Sequence, residues 1–214
     1  MGARFLDDDA RSAFSRAIEA IESVSSVEVV VAVRRRSASY LHASLIVGIA
    51  VAFAGLAIML YSSQSFSLIA ILVDPFLVGL AAGGLVQLLP QVERWLTPAR
   101  TRRRLVAHAA TATFVERGVH NTSGRSGLLV YVSWVEQTIA VVADSGVRRV
   151  LPDAELRTLE AELTGRMRHG GAAVAKVLEQ QAGRFAAVLP RSASDSNELP
   201  DAIDSDLPRP RSQR

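Results

Sequence analysis

The sequence has 214 residues, with 24 Lys and Arg against 21 Asp and Glu, and a formal net charge of +3. This small excess does not indicate nucleic acid as a partner, because its densest clusters flank apolar segments. The sequence contains no cysteine, which excludes a disulfide framework and thiolate metal sites. The N-terminus is acidic and lacks an apolar core, so it does not resemble a secretory signal.

Residues 1–39 are predicted to form the first part of a cytoplasmic domain. From Asp7 to about Val24, apolar side chains recur at steps of three and four residues, which indicates an amphipathic helix. The next run, Val27 to Val33, is β-branched and contains a single polar residue. Such a run is typical of a strand that is buried on both faces of a sheet.

Residues 40–90 contain two long apolar runs joined by a short polar turn. The first run, residues 41–60, would reach about 30 Å as a helix, which matches the hydrocarbon thickness of a bilayer. The second run, residues 68–89, contains Asp74, whose insertion costs roughly 2.5–3.5 kcal/mol. Its many Leu, Ile, Val and Phe residues return about 0.3–0.6 kcal/mol each, and together they outweigh that cost. The two runs are therefore predicted to form a transmembrane helical hairpin.

Arginines flank this hairpin on both sides, and the turn between the two runs carries no positive charge. The positive-inside rule then predicts a multi-pass protein of the inner (cytoplasmic) membrane, with both termini in the cytoplasm. The same side chains are expected to engage anionic lipid of the bilayer. The membrane-flanking arginines are Arg34, Arg35, Arg36, Arg94, Arg102, Arg103 and Arg104.

Two features inside the hairpin are candidates for a structural or functional role. Small residues at four-residue spacing permit close packing, either within the hairpin or between copies in a homo-oligomer. Asp74 is an acid within a membrane segment, which is a functional candidate by default; with Pro75 it also fits a kink near the outer interface. The small residues are Gly48, Ala52, Gly79 and Gly83.

Residues 91–189 are predicted to form the second part of the domain, with strands at Leu128–Ser133 and Thr138–Ala143 that are spaced as an antiparallel hairpin. A lone strand and helix cannot bury their apolar faces, so the parts before and after the hairpin must fold together. The predicted fold class is α/β, an αβα sandwich with a small mixed sheet, interrupted by the two-helix transmembrane hairpin. Residues 190–214, rich in Ser, Asp, Pro and Arg, are predicted to be a disordered tail.

The remaining helices of this second part follow from apolar spacing, proline and glycine. They are predicted at Arg100 to Arg117, from Pro152 onward, and after the His169-Gly170-Gly171 sequence to about Leu189.

Carboxylates near the predicted strands are candidates for a metal site. Glu136 and Asp144 flank the second strand of the β-hairpin, and with Asp7 and Asp9 they would offer oxygen ligands for Ca²⁺ or Mg²⁺. The alternative is that Glu136 lies in a turn and Asp144 opens an ordinary turn.

A second candidate site binds anions. Arg166, Arg168, Gly170 and Gly171 precede a predicted helix, where free backbone N–H groups and arginines could hold a phosphate. The alternative is a glycine-capped loop without a ligand.

The AxxxF pattern at Ala110–Phe114, Gly118 and the stretch SGLLVYVSWVEQTIAVVADSGV, together with the VEVVVAV strand, give the chain a distinctive pattern. In these features it resembles the TPM domain family. The resemblance implies an α/β sandwich. The inserted hairpin departs from the family pattern and looks like a bacterial membrane-anchored subgroup.

The TPM resemblance implies function only loosely, because no sharp catalytic signature defines that family. Its members include accessory subunits, weak acid phosphatases and calcium binders. The favoured prediction is a non-enzymatic accessory or scaffold protein that acts through protein partners. The alternative is a membrane-tethered hydrolase of phosphate esters, assisted by Ca²⁺ or Mg²⁺.

Overall fold

The computed structural model describes residues 5–192, 197–199 and 203–207. The chain forms two compact units. The first, here called the α/β domain, comprises Met1–Ser37 and Arg103–Arg214, and the second, the hairpin unit, comprises Ala38–Arg102. The elements in chain order are α1 (Asp8–Glu22), β1 (Glu28–Arg34), α2 (Leu41–Tyr61), α3 (Leu68–Leu88), α4 (Pro90–Leu96), α5 (Ala99–Glu116), β2 (Gly127–Ser133), β3 (Thr138–Ala143), α6 (Ser145–Val150), α7 (Asp153–Arg166), α8 (Gly171–Glu179), α9 (Ala182–Val188) and β4 (Asp204–Ser205), with a short 3-10 helix at Met167–His169.

Among the described residues of the α/β domain, four strands form one mixed sheet in the order β3-β2-β1-β4. β1 pairs in parallel with β2, and Val31 lies opposite Val130. β2 and β3 are antiparallel, whereas β4 is parallel to β1. The predicted parallel pair and the predicted β-hairpin are both confirmed.

Both faces of this sheet are covered by helices. In β1, Val29, Val31 and Val33 belong to one apolar cluster, whereas Val30 and Ala32 belong to another. Successive side chains of a strand point to opposite faces, so the two clusters lie on opposite sides of the sheet. The first contains side chains of α1, α7, α8 and α9, and the second contains side chains of α5. The predicted αβα arrangement is therefore confirmed.

The largest correction concerns the predicted disordered tail. That prediction is wrong for Ile203–Leu207, where β4 pairs with β1 and Leu207 joins the main apolar cluster at 5% exposure. The average composition of the tail is polar, but in this segment the two Asp residues alternate with Ile203, Ser205 and Leu207, a spacing that suits a strand. Residues 193–196, 200–202 and 208–214 lie outside the described residues.

Smaller corrections concern helices. Asp144 was predicted to open an ordinary turn, but it is the N-cap residue of α6. The last predicted helix is divided into α8 and α9, and α4 was not predicted. Each of these helices has nine residues or fewer, so its apolar periodicity is too brief to read from the sequence.

In the hairpin unit, α2 and α3 have 21 residues each, and both are long and apolar enough to cross a membrane. Only 11% and 22% of their most apolar windows are buried in the structure. Large side chains such as Phe53 (68% exposed) and Leu80 (77% exposed) lie on their surfaces. A core helix of a soluble protein would bury such side chains.

The predicted small residues bring α2 and α3 together. A Cβ atom on Gly79 would lie 2.5 Å from the carbonyl oxygen of Gly48 and 2.8 Å from the Cβ of Ala52. A Cβ on Gly83 would lie 2.8 Å from the carbonyl oxygen of Ser44. These distances leave no room for a larger side chain, so the small residues serve packing within the hairpin, one of the two alternatives that the sequence allowed.

Candidate functional site

A buried polar network lies beyond the carboxyl ends of β1 and β2. Here called the Ser37–Glu136 network, it consists of Ser37, Tyr131, Ser133 and Glu136. The Ser37 backbone N–H donates to Glu136 Oε1 at 3.0 Å, and the Ser133 hydroxyl donates to Oε2. Ser37 Oγ lies 2.6 Å from Ser133 Oγ and 3.2 Å from the hydroxyl of Tyr131. The network therefore ties the segment that follows β1 to the turn between β2 and β3.

Burial determines what this network can do. Ser133 is 0% exposed and Glu136 is 1% exposed, so neither group is open to a substrate from solvent. Burial also raises the pKa of Tyr131, against the opposing effects of the Ser37 hydrogen bond and the Arg34 charge. The phenol is therefore a neutral hydrogen-bonding group. A buried, hydrogen-bonded network of this kind specifies local structure. We interpret it as a structural contact that fixes the segment after β1 against the turn between β2 and β3.

An ion cluster lies where β4 joins β1. The carboxylate of Asp204 forms ion pairs with the guanidinium groups of both Arg34 and Arg117. Burial opposes the charge on Arg34, but the hydrogen bond and charge of Asp204 outweigh that effect and raise its pKa. Next to this pair, the Arg35 backbone N–H donates to Asp206 Oδ1 at 2.6 Å. Asp204 and Asp206 thus neutralise part of the positive charge at the carboxyl end of β1.

The other edge of the sheet is closed by side chains of α7. The backbone N–H of Ile139 donates to Thr164 Oγ1 at 3.1 Å, and that of Val141 donates to Glu160 Oε2 at 3.4 Å. Burial raises the pKa of Glu160, partly offset by the Val141 N–H and by the positive charges of nearby arginines. These contacts cap donors that an edge strand would otherwise present.

The carboxylates predicted to bind metal do not converge. Glu136 and Asp144 lie at opposite ends of β3, whose six residues span on the order of 20 Å. Asp144 and Asp7 instead cap α6 and α1, where each accepts a backbone N–H at 2.6 and 2.9 Å respectively. Asp9 is exposed in the first turn of α1. Within the described part of the chain, no group of three or more His, Asp or Glu residues is arranged to hold a metal ion. The predicted four-carboxylate site is therefore wrong.

The predicted anion site is accounted for by packing. The N–H of Gly171 donates to the carbonyl of Phe5 at 3.1 Å, and a Cβ on Gly171 would lie only 2.2 Å from that oxygen. Gly170 has a φ of +96°, which favours glycine. Arg166 and Arg168 are exposed on the surface. The alternative interpretation, a glycine-capped loop, explains both glycines.

The residues predicted to flank the membrane, or to lie within it, occupy varied positions. Arg102 Nη1 donates to the carbonyl oxygens of Arg94 and Thr97 at 2.6 and 2.7 Å, and so satisfies the end of α4. Asp74 is exposed on α3, whereas the adjacent Pro75 is buried. The carboxylate is thus on the outer surface of the helix pair. The exposed arginines include Arg35, Arg103 and Arg104.

Comparisons with known proteins bear on the fold. No protein-family model matches the chain, and no curated protein is significantly similar in sequence. The NMR structure of the BA42 protein from the psychrophilic bacterium Bizionia argentinensis is similar, with a TM-score of 0.56 at 17% identity. The match covers 94% of this chain and 95% of that chain. Likeness at this identity shows a shared fold and does not transfer a function.

Sequence reasoning missed most of the polar clusters. It did not single out Ser37, Tyr131, Arg117 or Asp204. For Asp204 a signal existed, because the Ile203–Leu207 segment has the alternation of a strand. For Ser37 there was none, since its hydrogen-bond partners are 94 to 99 residues away in sequence.

Proposed function

We propose that this protein is a non-enzymatic accessory or scaffold protein of the inner membrane. The hairpin unit anchors it as a multi-pass protein, and the α/β domain, with both termini, lies in the cytoplasm and acts through protein partners. The observation that carries the proposal is the exposed apolar surface of α2 and α3, inserted in the chain of an otherwise well-buried α/β domain.

The lengths and surfaces of α2 and α3 support the membrane part of this proposal. A helix of 21 residues is about 30 Å long, which matches the apolar thickness of a bilayer. A contiguous apolar surface of this size is uncommon on a soluble monomer. The arginines on both flanks support a cytoplasmic position for both ends of the hairpin.

The state of the candidate acids supports a non-enzymatic role. Asp7 and Asp144 cap helices, and Glu136 belongs to the buried Ser37–Glu136 network, so each of these carboxylates has a structural role. General acid–base chemistry needs such a group within reach of a substrate. The proposal therefore assigns the work of the domain to its surface.

Site-specific photocrosslinking in native membranes tests this proposal. A photoreactive residue at the exposed Thr158 of α7 should give a discrete protein adduct, whereas the same residue at the neighbouring, buried Leu159 should not. The purified chain should also fail to hydrolyse a generic phosphate ester in the presence of Ca²⁺ or Mg²⁺. Hydrolysis that is lost in Asp144→Ala, or the absence of any protein adduct across exposed positions, would contradict the proposal.

A further inference from the structure

We propose that the edge of β1 that faces away from β2 is a docking site for an extended acidic segment of a partner protein, and that Ile203–Leu207 is its resident, displaceable occupant. We call Ile203–Leu207 the acidic strand. The inference deepens the proposed function and rests on it, because it gives the chemistry by which the α/β domain would recognise a protein.

The acidic strand is held in the manner of an added strand. Ala32 and Val33 lie opposite Asp204 and Ser205 in parallel register. The pairing continues through the Asp206 backbone N–H, which donates to the carbonyl of Val33 at 3.3 Å. Main-chain pairing along a sheet edge, with side chains that select the sequence, is the general mode of peptide recognition by β-strand addition.

Side chains of the acidic strand define what this edge accepts. Asp204 lies between two guanidinium groups, those of Arg34 and Arg117. The carboxylate of Asp206 accepts the N–H of Arg35, and Leu207 is buried in the main apolar cluster. The recognised pattern is therefore two acidic residues separated by one residue and followed by an apolar anchor.

The pairing is short enough to be replaced. β1 has seven residues, but β4 pairs with two of them. The Arg117 side chain is 50% exposed, and ion pairs at such exposure add little to stability. Of the other edge-facing groups of β1, the Val29 N–H is held by a side chain, Glu22 Oε1 at 2.9 Å, rather than by a strand. A partner segment therefore competes with a two-residue pairing and not with a full-length strand.

The opposite edge of the sheet differs in the group that closes it. There, side chains of α7 cap the N–H groups of β3. At β1 the Val29 N–H is also capped by a side chain, that of Glu22, but Ala32 and Val33 are covered by a backbone strand with a complementary charge. A covered edge is a common device against unwanted pairing, and a cover made of a strand shows that the edge accepts one.

A peptide-binding measurement on the full chain in detergent micelles tests this inference. The probe is a fluorescent peptide with the sequence of residues 197–207, and binding is followed by anisotropy. The receptor variant is Asp204→Arg with Asp206→Arg, in which the resident strand is repelled by Arg34 and Arg117. This variant should bind the peptide at least about 10-fold more tightly than the wild-type chain, whose own strand competes at high effective concentration.

Two controls establish where the peptide binds. Adding Arg117→Glu to the receptor variant should weaken binding measurably, and a peptide with both Asp residues changed to Asn should also bind more weakly. No binding to the folded receptor variant, equal binding to variant and wild type, or indifference to Arg117→Glu would overturn the inference. A protein adduct at Thr158 without peptide binding would defeat this inference alone, whereas peptide binding without any adduct would defeat the proposed function.

Hydrogen exchange on the wild-type chain covers the case in which the receptor variant does not fold. The Asp206 amide should exchange faster than the amides that join β1 to β2, through opening of the acidic strand alone. Equal protection of the two sets would show that the strand opens only on global unfolding, and would overturn the inference.

Discussion

The α/β domain and the hairpin unit use the same residue types in opposite ways. Phe14 of the domain is 0% exposed, whereas Phe53 of the hairpin is 68% exposed. In the domain, α1 has one apolar stripe that faces the core, but α2 and α3 are apolar around their whole circumference. A helix of the second kind is typical of a protein core or a membrane span. The difference teaches that apolar side chains face a protein core in the domain, whereas in the hairpin unit they face outward, where the proposed membrane anchor would place them in lipid.

The largest expected effect comes from truncating the same aromatic residue in each unit. Phe14→Ala should destabilise the domain by about 3–5 kcal/mol, because it leaves a cavity in the core. Phe53→Ala should leave domain unfolding nearly unchanged, since its ring lies on the hairpin surface. Denaturant unfolding in detergent, followed by the fluorescence of Trp134 in a Trp95→Phe background, measures both. Equal losses of unfolding free energy in the two variants would show that the two phenylalanines do not differ in burial as described.

An intermediate effect is expected for glycines of α3. Gly79→Ile should force α2 and α3 apart at a cost of about 1–3 kcal/mol or more, because even a Cβ atom there meets backbone at 2.5 Å. Gly84→Ile is the matched control, with nothing within 4 Å of its Cβ position. Spin labels at Leu45 and Leu80 should report a longer separation in Gly79→Ile than in the control. An unchanged separation would mean that these glycines do not set the packing.

The smallest effect concerns the edge of β3. Burial raises the folded pKa of Glu160 above its ordinary value of 4.5, so its contribution to stability is present at low pH and is lost as pH rises through the folded pKa. Glu160→Gln should therefore raise the melting temperature at pH 7 by a few degrees at most, and should converge with wild type near pH 4. The exposed Glu162→Gln is the control. A variant that is less stable than wild type at pH 7 would contradict this assignment.

Local patterns predicted the scaffold of both units. The run Val27–Val33 indicated a strand buried on both faces, and five of the seven residues of β1 are buried. The ends of α2 and α3 were predicted to within one residue, because length and apolarity are local properties. The parallel pairing of β1 with β2 followed from the need of two incomplete halves to share a core.

Positions that depend on distant contacts were harder to predict. Glu136 and Asp144 are close in sequence, but they lie at opposite ends of the extended strand β3. Periodicity in the sequence predicts helices and strands, and it does not predict which distant side chains meet. The acidic strand was hidden by the composition of the tail around it. Its place depends on Arg34 and Arg117, which are 170 and 87 residues away in sequence from Asp204.

The central claim is that the hairpin crosses the membrane while the α/β domain stays on its cytoplasmic side. The sequence has no native cysteine, so single cysteines can be labelled selectively. With a membrane-impermeant maleimide on cells whose inner membrane is intact and exposed, Ser63→Cys in the turn between α2 and α3 should be labelled. Thr158→Cys on α7 should be labelled only after that membrane is opened. Labelling of Thr158→Cys in intact cells, or protection of Ser63→Cys until the membrane is opened, would contradict the claim.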